Sequence, residues 1–407
     1  MARDDLTAKA RAEVVARASY GRLLALLAAR TGDIPGAEDA LGDAFVQALS
    51  TWPASGVPAN PEGWLMTVAR NRQRDRAKSA AERTSAPLAA EPQVFDEVDP
   101  DAIPDKRLEL MFVCAHPAID PGIRTPLMLQ TVLGFEAEQI ARAFAMPTGT
   151  MAQRLVRAKR RIRDARIPFV VPTRADMPER LPAVLEAIYG AYAIDWLLVS
   201  GERESLAAES LYLASTLATL LDDEPEAYGL AALIAFSFSR ARARTGADGR
   251  FVPLEEQDTT RWDATLIARG DDWLRRAARA QRLGRFQLEA AIQAVHAARA
   301  RTGLTDWWAL RTLYTALVEL TPTLGARVSL AATIGTLDGP DAGLAALEAI
   351  EGAERFQPAW ATRAHLLAEA GATREASAAY EKAISLTTES ALRAHLTEKA
   401  TRLSPNG

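Results

Sequence analysis

Between Phe135 and Arg166 the chain reads FEAEQIARAFAMPTGTMAQRLVRAKRRIRDAR, and its polar residues have types and spacing that chemistry can use. Thr150, Gln153, Arg154, Arg157, Arg160 and Arg161 recur at intervals that gather them on one side of a helix, with Lys159 flanking. Threonine, glutamine and arginine in the first half of such a helix can hydrogen-bond base edges in a major groove. The arginines of the second half can neutralise phosphates. Met151, Leu155, Ala158 and Ile162 fall on the opposite side as a buried stripe. A solvated basic face on an ordinary amphipathic helix is the alternative.

The elements that must position this row stand just before it. Ile140, Ala141 and Phe144 predict a short helix facing a small core. Met146-Pro147 stops that helix, because proline lacks the N–H a continuing helix needs and restricts its predecessor. Thr148 is then expected to N-cap the long basic helix and to join its DNA-facing set. A short helix, a tight turn and a long basic helix make a layout that can seat the second helix in a groove.

A second cationic cluster lies upstream. EGWLMTVARNRQRDRAKSAAER predicts a helix with Trp64, Leu65, Val68 and Ala69 inward, ending in Arg70, Arg72, Arg74, Arg76 and Lys78 with Asn71 and Asp75 between them. So dense a run of cations exceeds what a helix C-terminus needs to complement its dipole. The preceding helix, GAEDALGDAFVQALSTW, has an apolar stripe of Ala40, Leu41, Ala44, Phe45, Ala48 and Leu49, and an acidic edge of Glu38, Asp39 and Asp43. Docking of a partner and simple favour from the helix dipole, worth about 0.3–1 kcal/mol, both account for that edge.

At 407 residues the chain exceeds one core and implies two or three domains. Hydrophobic content of 48% with 25% charged residues excludes a disordered chain. No apolar run reaches the roughly 18 residues of a membrane span, and MARDDLTAKA has no apolar signal core. The expectation is a cytoplasmic protein with no membrane partner. Cys114 is the single cysteine, so no internal disulfide forms. Cys114 and His116 supply two ligands, too few for zinc, and neither a metal nor another cofactor is expected. The net charge of −4 divides unevenly: residues 1–170 carry 23 Lys+Arg against 21 Asp+Glu, and the rest 25 against 31. A front half that meets a polyanion fits this split.

In chain order, a helix is predicted over residues 7 to about 30 with Val14, Ala18, Leu23, Leu24 and Leu27 as core. Pro53–Pro61 is a turn-rich loop, and Ser79 to about Pro104 an acidic linker. Helical periodicity resumes over Lys106–Cys114 and Pro121–Leu133, and Ile167–Pro172 is an extended connector. Residues 180–402 are almost wholly helical, broken near Gly201, Asp222–Pro225, Gly246–Gly249, Gly284, Gly303, Pro322, Gly339-Pro340 and Pro358. Breaks every 20–35 residues predict stacked helical hairpins. From Pro358, the placement of Gly371, Ala376, Tyr380, Ala383 and Ile384 matches a tetratricopeptide second helix. Trp307-Trp308 are expected to pack between helices. No phosphate-cradling glycine loop, HExxH or nucleophile elbow is present, so no enzyme is expected. Glu255, Glu256, Asp258, His296 and Arg299 line a concave repeat face or stand as solvated residues.

Two basic helical modules joined by an acidic linker resemble a small sigma factor. GDIPGAEDALGDAF with NPEGWLMTVARNRQRDR is similar to the second conserved region of extracytoplasmic-function sigma factors, and IARAFAMPTGTMAQRLVRAKRRIR to their fourth. IPFVVP and the long helical tail resemble the subgroup with a C-terminal tetratricopeptide-like extension. The resemblance implies an all-α protein with region 2 over 7–80, the linker over 81–104, a region 4 helix-turn-helix over 105–168 and a tetratricopeptide-like domain over 175–405. It implies core RNA polymerase and promoter DNA as partners, and a protein partner on the repeat face. Glu38, Asp39 and Asp43 would meet the polymerase clamp. Trp64, Arg70, Asn71, Arg72 and Arg76 would meet the −10 strand, and Thr148, Thr150, Gln153, Arg154, Arg157, Lys159, Arg160 and Arg161 the −35 element. The chain departs from the pattern at Gly42, where glutamine is usual, and at Phe135-Glu136, where a Thr/Ser cap is usual. It departs again at Cys114-Ala115, in place of paired cysteines, and in AVLEAIYGAYAIDW, which lacks an Asn-Glu-Gly-Tyr run. A stand-alone helix-turn-helix regulator with a repeat sensor domain is the alternative, and it leaves residues 36–78 unexplained.

Overall fold

Proline near the start and glycine past the end delimit the first long helix. The computed structural model describes residues 19–84, 105–169, 172–173, 176–197 and 204–403. In it, helix α1 covers 19–31 and α2 covers Ile34–Ser55. Pro35 occupies the first turn of α2, where no N–H is needed, and Gly56 closes it at φ 81° with its N–H on the Trp52 carbonyl. Ala37, Leu41, Ala44, Ala48 and Trp52 recur at three and four and are buried. The helix runs through Pro53, where the sequence predicts a loop, because a proline in the last turn displaces little of the hydrogen-bond ladder. Helix α3 (Pro61–Thr84) packs on α2 and extends past Ser79, where the sequence predicts the helix to dissolve; its alanines are strong helix formers. The remainder of the expected linker, 85–104, and residues 7–18 with Val14 and Ala18 lie outside the described residues.

Helices α4 (Lys106–Cys114), α5 (Pro121–Thr131), α6 (Ala137–Ala143) and α7 (Thr148–Asp164) follow. Asp105 caps α4, accepting from the Arg107 N–H at 2.9 Å, and Asp120 caps α5, accepting from Gly122 at 2.8 Å. Helix α8 (Met177–Leu197) carries the chain across the boundary between two compact units, residues 1–191 and 192–407.

The second unit contains α9 (Glu204–Leu220), α10 (Pro225–Phe238), α11 (Ala264–Arg279), α12 (Arg285–Thr302), α13 (Trp307–Leu320), α14 (Leu324–Asp338), α15 (Pro340–Glu348), α16 (Gln357–Glu369), α17 (Thr373–Ser385) and α18 (Ser390–Leu403). Helix α10 is apolar on all sides and packs against α9, α11 and α12. From α12 onward each helix packs chiefly on its chain neighbours. The core there divides into separate clusters around Leu288 and Leu310, around Val328 and Leu347, and around Ala364 and Tyr380. Such nearest-neighbour stacking is quasi-one-dimensional.

The protein is all-α, and no strand occurs among the described residues. An isolated bridge between Thr245 and Phe251 and three 3-10 turns interrupt 239–263, around the break expected near Gly246–Gly249. Gly246, Gly249 and Pro253 explain the break. Three packing expectations fail, the first at Leu49 of the expected α2 stripe, which is 46% exposed. Trp307 packs beside the Leu310 cluster, but Trp308 is 64% exposed, with the Arg311 guanidinium 5.8 Å above its ring. Phe144 is 42% exposed, while Ile140 and Ala141 are buried.

Where α14 meets α15, a Cβ on Gly343 would lie 2.7 Å from the Gly335 Cα. Because backbone cannot rotate away, Gly343→Ala should destabilise the second unit by about 1–3 kcal/mol, read as a lower urea midpoint.

Candidate nucleic-acid and partner interface

Helix α7 owes its position to the turn before it. Glu136 opens α6, its N–H donating to Gln139 Oε1 at 2.9 Å in a capping box, with Glu136 standing where Thr or Ser is usual. The chain reverses through Ala145, held at φ 49°, and the Met146 N–H returns to the Ala141 carbonyl at 2.9 Å. Thr148 is the first residue of α7, not its cap: Pro147 takes the cap position, its fixed φ suiting the entry, and its carbonyl accepts from Met151 at 3.1 Å. Met151, Leu155, Ala158 and Ile162 are buried as predicted.

Thr148, Thr150, Gln153, Arg157, Arg160 and Arg161 are exposed along the other side. Arg154 is half-buried, its guanidinium 3.6 Å from the Asp120 carboxylate and 3.9 Å from Met146 Sδ. Lys159 departs from this row. It is buried, and its Nζ donates to both Glu38 carboxylate oxygens at 2.7 and 2.9 Å. The face of α7 is therefore split: six exposed polar residues, and one lysine turned onto α2.

The acidic edge of α2 is engaged by cations from both expected DNA-reading sets. Glu38 holds Lys159 of α7. Asp39 and Asp43 hold the two Nη atoms of Arg76, each at 3.1 Å. The Arg76 pairs are about half exposed and contribute on the order of 0–1 kcal/mol each. The Lys159–Glu38 pair is better sheltered, with side chains 11% and 21% exposed, so removing one partner would strand a largely desolvated charge. Tyr20 of α1 lies beside it: burial first, then Glu38 and Asp39, push its phenol well above the usual range. At α3, Arg70, Asn71 and Arg72 are exposed, whereas Trp64 is half-buried, its ring edge-on to Trp52 at 5.6 Å. Val46 and Leu49, at 68% and 46% exposed, leave apolar surface on α2.

A further approach was invisible in the sequence. A Cβ on Gly21 of α1 would lie 1.8 Å from the Val132 carbonyl oxygen, just past α5. Only glycine allows that contact.

Cys114 lies fully buried, 3.6 Å from the Thr131 hydroxyl, and burial pushes its thiol up to about 12. His116 is turned inward, its Nδ1 accepting from the Ala118 N–H at 3.1 Å, and burial followed by Arg180 and Arg124 lowers its proton affinity. Among the described residues, no three His, Cys, Asp or Glu side chains group as metal ligands. The Cys114 thiol, protonated across pH 7–9 and shielded, should resist a soluble disulfide reagent in the folded chain and react at once in denaturant. Absorbance of the released thiolate checks this.

In the second unit, Glu255, Glu256, His296 and Arg299 line one cavity of about 300 Å³ with Trp307, His395 and Lys399. Asp258 stands apart, capping a 3-10 turn through Thr260. The Arg299 guanidinium is committed to the carbonyls of Leu254, Glu255 and Gln257 and lies 5.0 Å over Trp262, so it anchors the loop. Lys399 reaches Glu256 at 3.4 Å, and Arg250 reaches Glu398 at 3.4 Å. His296 is held neutral: burial first, then Arg240 and Arg299, depress it to about 4. Below pH 6.5 the unfolded chain gains a proton that the folded chain refuses until about pH 4. Stability of this unit should therefore fall by about 3 kcal/mol as pH drops through that window. Urea titrations from pH 7 to 4 should show this loss, and His296→Gln should remove most of it.

Among the described residues, no helix is long and apolar enough to cross a membrane. Residues 15–83 match the family described as Sigma-70 region 2, which takes in α1, α2 and nearly all of α3. Residues 180–278 match a family described as Family of unknown function (DUF6596). Over 374 residues, 88% of each chain, the sequence is 35% identical to a protein of Rhizobium meliloti (strain 1021) carrying the name Uncharacterized protein R00370. No solved structure matches the chain.

Proposed function

For a chain that belongs to the family of the Rhizobium meliloti protein R00370 and carries sigma-70 region 2, we propose the role of a cytoplasmic sigma factor of the extracytoplasmic-function type. It would be a dissociable subunit of bacterial RNA polymerase that directs initiation at chosen promoters. The observation that carries this reading is a second cationic helix face, Thr148 to Arg161 of α7, in the same compact unit as region 2. A helix after a tight turn, with Gln153 and Arg154 toward its start and Arg157, Arg160 and Arg161 behind, suits base reading followed by phosphate grip.

In this reading α6 and α7 form the helix-turn-helix of region 4 and meet the −35 element. Arg70, Asn71, Arg72 and Arg76, with Trp64, approach the −10 strand, where unstacking a base costs a few kcal/mol that basic and aromatic contacts offset. Glu38, Asp39 and Asp43, flanked by the exposed Val46 and Leu49, dock on core polymerase. The nearest-neighbour stack of the second unit is a tetratricopeptide-like regulator or scaffold for a protein partner. In its best-matching hairpin, Gly371 turns the chain at φ 77° and Ala376, Tyr380 and Ala383 are buried.

Run-off transcription with core polymerase tests the role: promoter fragments selected from genomic DNA should give defined transcripts. No product from any fragment would count decisively against it. Failure to co-purify with core polymerase would favour a stand-alone regulator instead. Arg154→Ala should lower discrimination between the selected promoter and scrambled DNA by about 1–3 kcal/mol. An equal loss on both DNAs would assign Arg154 to phosphate.

A further inference from the structure

A buried cation of the second unit has nothing on the chain to balance it. Arg240 follows α10, its N–H on the Ser237 carbonyl at 3.2 Å, and it is 5% exposed. Among the described residues its one hydrogen-bond partner is the neutral Gln293 Oε1; Nε and Nη1 have none, and no carboxylate pairs with it. Burial lowers its pKa to about 10, Arg244 and Arg299 add to the fall, and the phenols of Tyr192 and Tyr314 oppose it. The guanidinium is therefore still charged at pH 7. A buried charge without a counter-ion is destabilising, and an apolar residue of similar size would leave the free protein no less stable. Folding alone does not explain this arginine.

Gln293, His296 and Arg299 recur at intervals of three on α12 and share one face. Gln293 holds Arg240, while His296 and Arg299 line the cavity of about 300 Å³ that Glu255 and Trp307 share. Arg240 and Arg299 both act on His296, so the three groups form one electrostatic neighbourhood. Trp262, beneath the Arg299 guanidinium, is 6% exposed and its Nε1 has no acceptor. Unmet donors thus collect beside two guanidinium charges. We infer that this cavity receives a small organic monocarboxylate, whose carboxylate is held at His296 and neutralises Arg240 and whose apolar body lies against Trp307 and Leu396. A neutral His296 has an N–H to donate, and guanidinium fields favour carboxylates. The volume is at the lower end of ligand pockets, which suits a small molecule and not a folded partner. Glu255 and Glu256, exposed members of the same lining, repel a second negative charge, so a monocarboxylate is preferred to phosphate. Such a site belongs to the second unit alone and does not require the sigma reading.

Urea unfolding of the full chain at pH 7 and constant ionic strength tests the site, with benzoate, phenylacetate and inorganic phosphate as probes. At least one of the carboxylates should raise the midpoint of the second unit's transition. The folded-to-unfolded ratio should grow about tenfold once that probe reaches about ten times its Kd, and phosphate should do less. Arg240→Met removes the buried charge. Without a probe its midpoint should equal or exceed the parent's, and the carboxylate response should be lost. Glu255→Gln removes one exposed repelling charge without touching the core, so it should tighten carboxylate binding a few-fold. A parent chain that ignores both carboxylates overturns the inference. So does an Arg240→Met chain that fails to fold, or that folds and responds as the parent does. Phosphate matching or exceeding the carboxylates overturns the ligand class, and unchanged binding in Glu255→Gln overturns the location.

Discussion

The first unit is organised around one ion pair, Lys159 with Glu38. Its strength comes from shelter. Many charge pairs among the described residues are half exposed, whereas this one, like the Arg107–Asp105 pair, is sheltered, and it lies near buried Cys114 and Tyr20. A lysine surrounded by arginines on a solvent-facing helix has no local reason to be buried. It is buried because α7 packs on α2 and one turn of its basic face meets the acidic edge. The same residue types thus end in two environments, solvent for the arginines and an ion pair for Lys159.

Ion pairing moderates the local field of two concentrated cationic stretches without removing either. Arg76 and Lys159 are neutralised internally, while Arg70, Arg72, Arg157, Arg160 and Arg161 remain at the surface.

Much of the helical architecture was legible in the sequence, because period-3.6 burial and proline or glycine stops are local signals. Ile140, Met151, Leu155 and Ile162 went inside as their spacing demands. Local reading failed wherever a distant element decided. Lys159 looks like its neighbours until α2 is placed beside it. Gly21 looks like a weak point in a helix until the Val132 carbonyl is seen against it. Thr148 has the side chain of a cap, yet the fixed φ of Pro147 took the position. Trp308 was expected to pack between helices with Trp307, but it stands in solvent with the Arg311 guanidinium over its ring. In the second unit, His296 and Glu255 were singled out from segments some forty residues apart and do share a cavity, although Arg299 proved to be structural.

A stack of helical hairpins is ordinarily open-ended, and units can be added or lost at its tip. Here the final helix reaches back to the early loop through Glu398 with Arg250, Lys399 with Glu256 and His395 against Phe251. These contacts tie α18 to the loop between α10 and α11. A duplication or deletion of one hairpin between them would misalign this fastening.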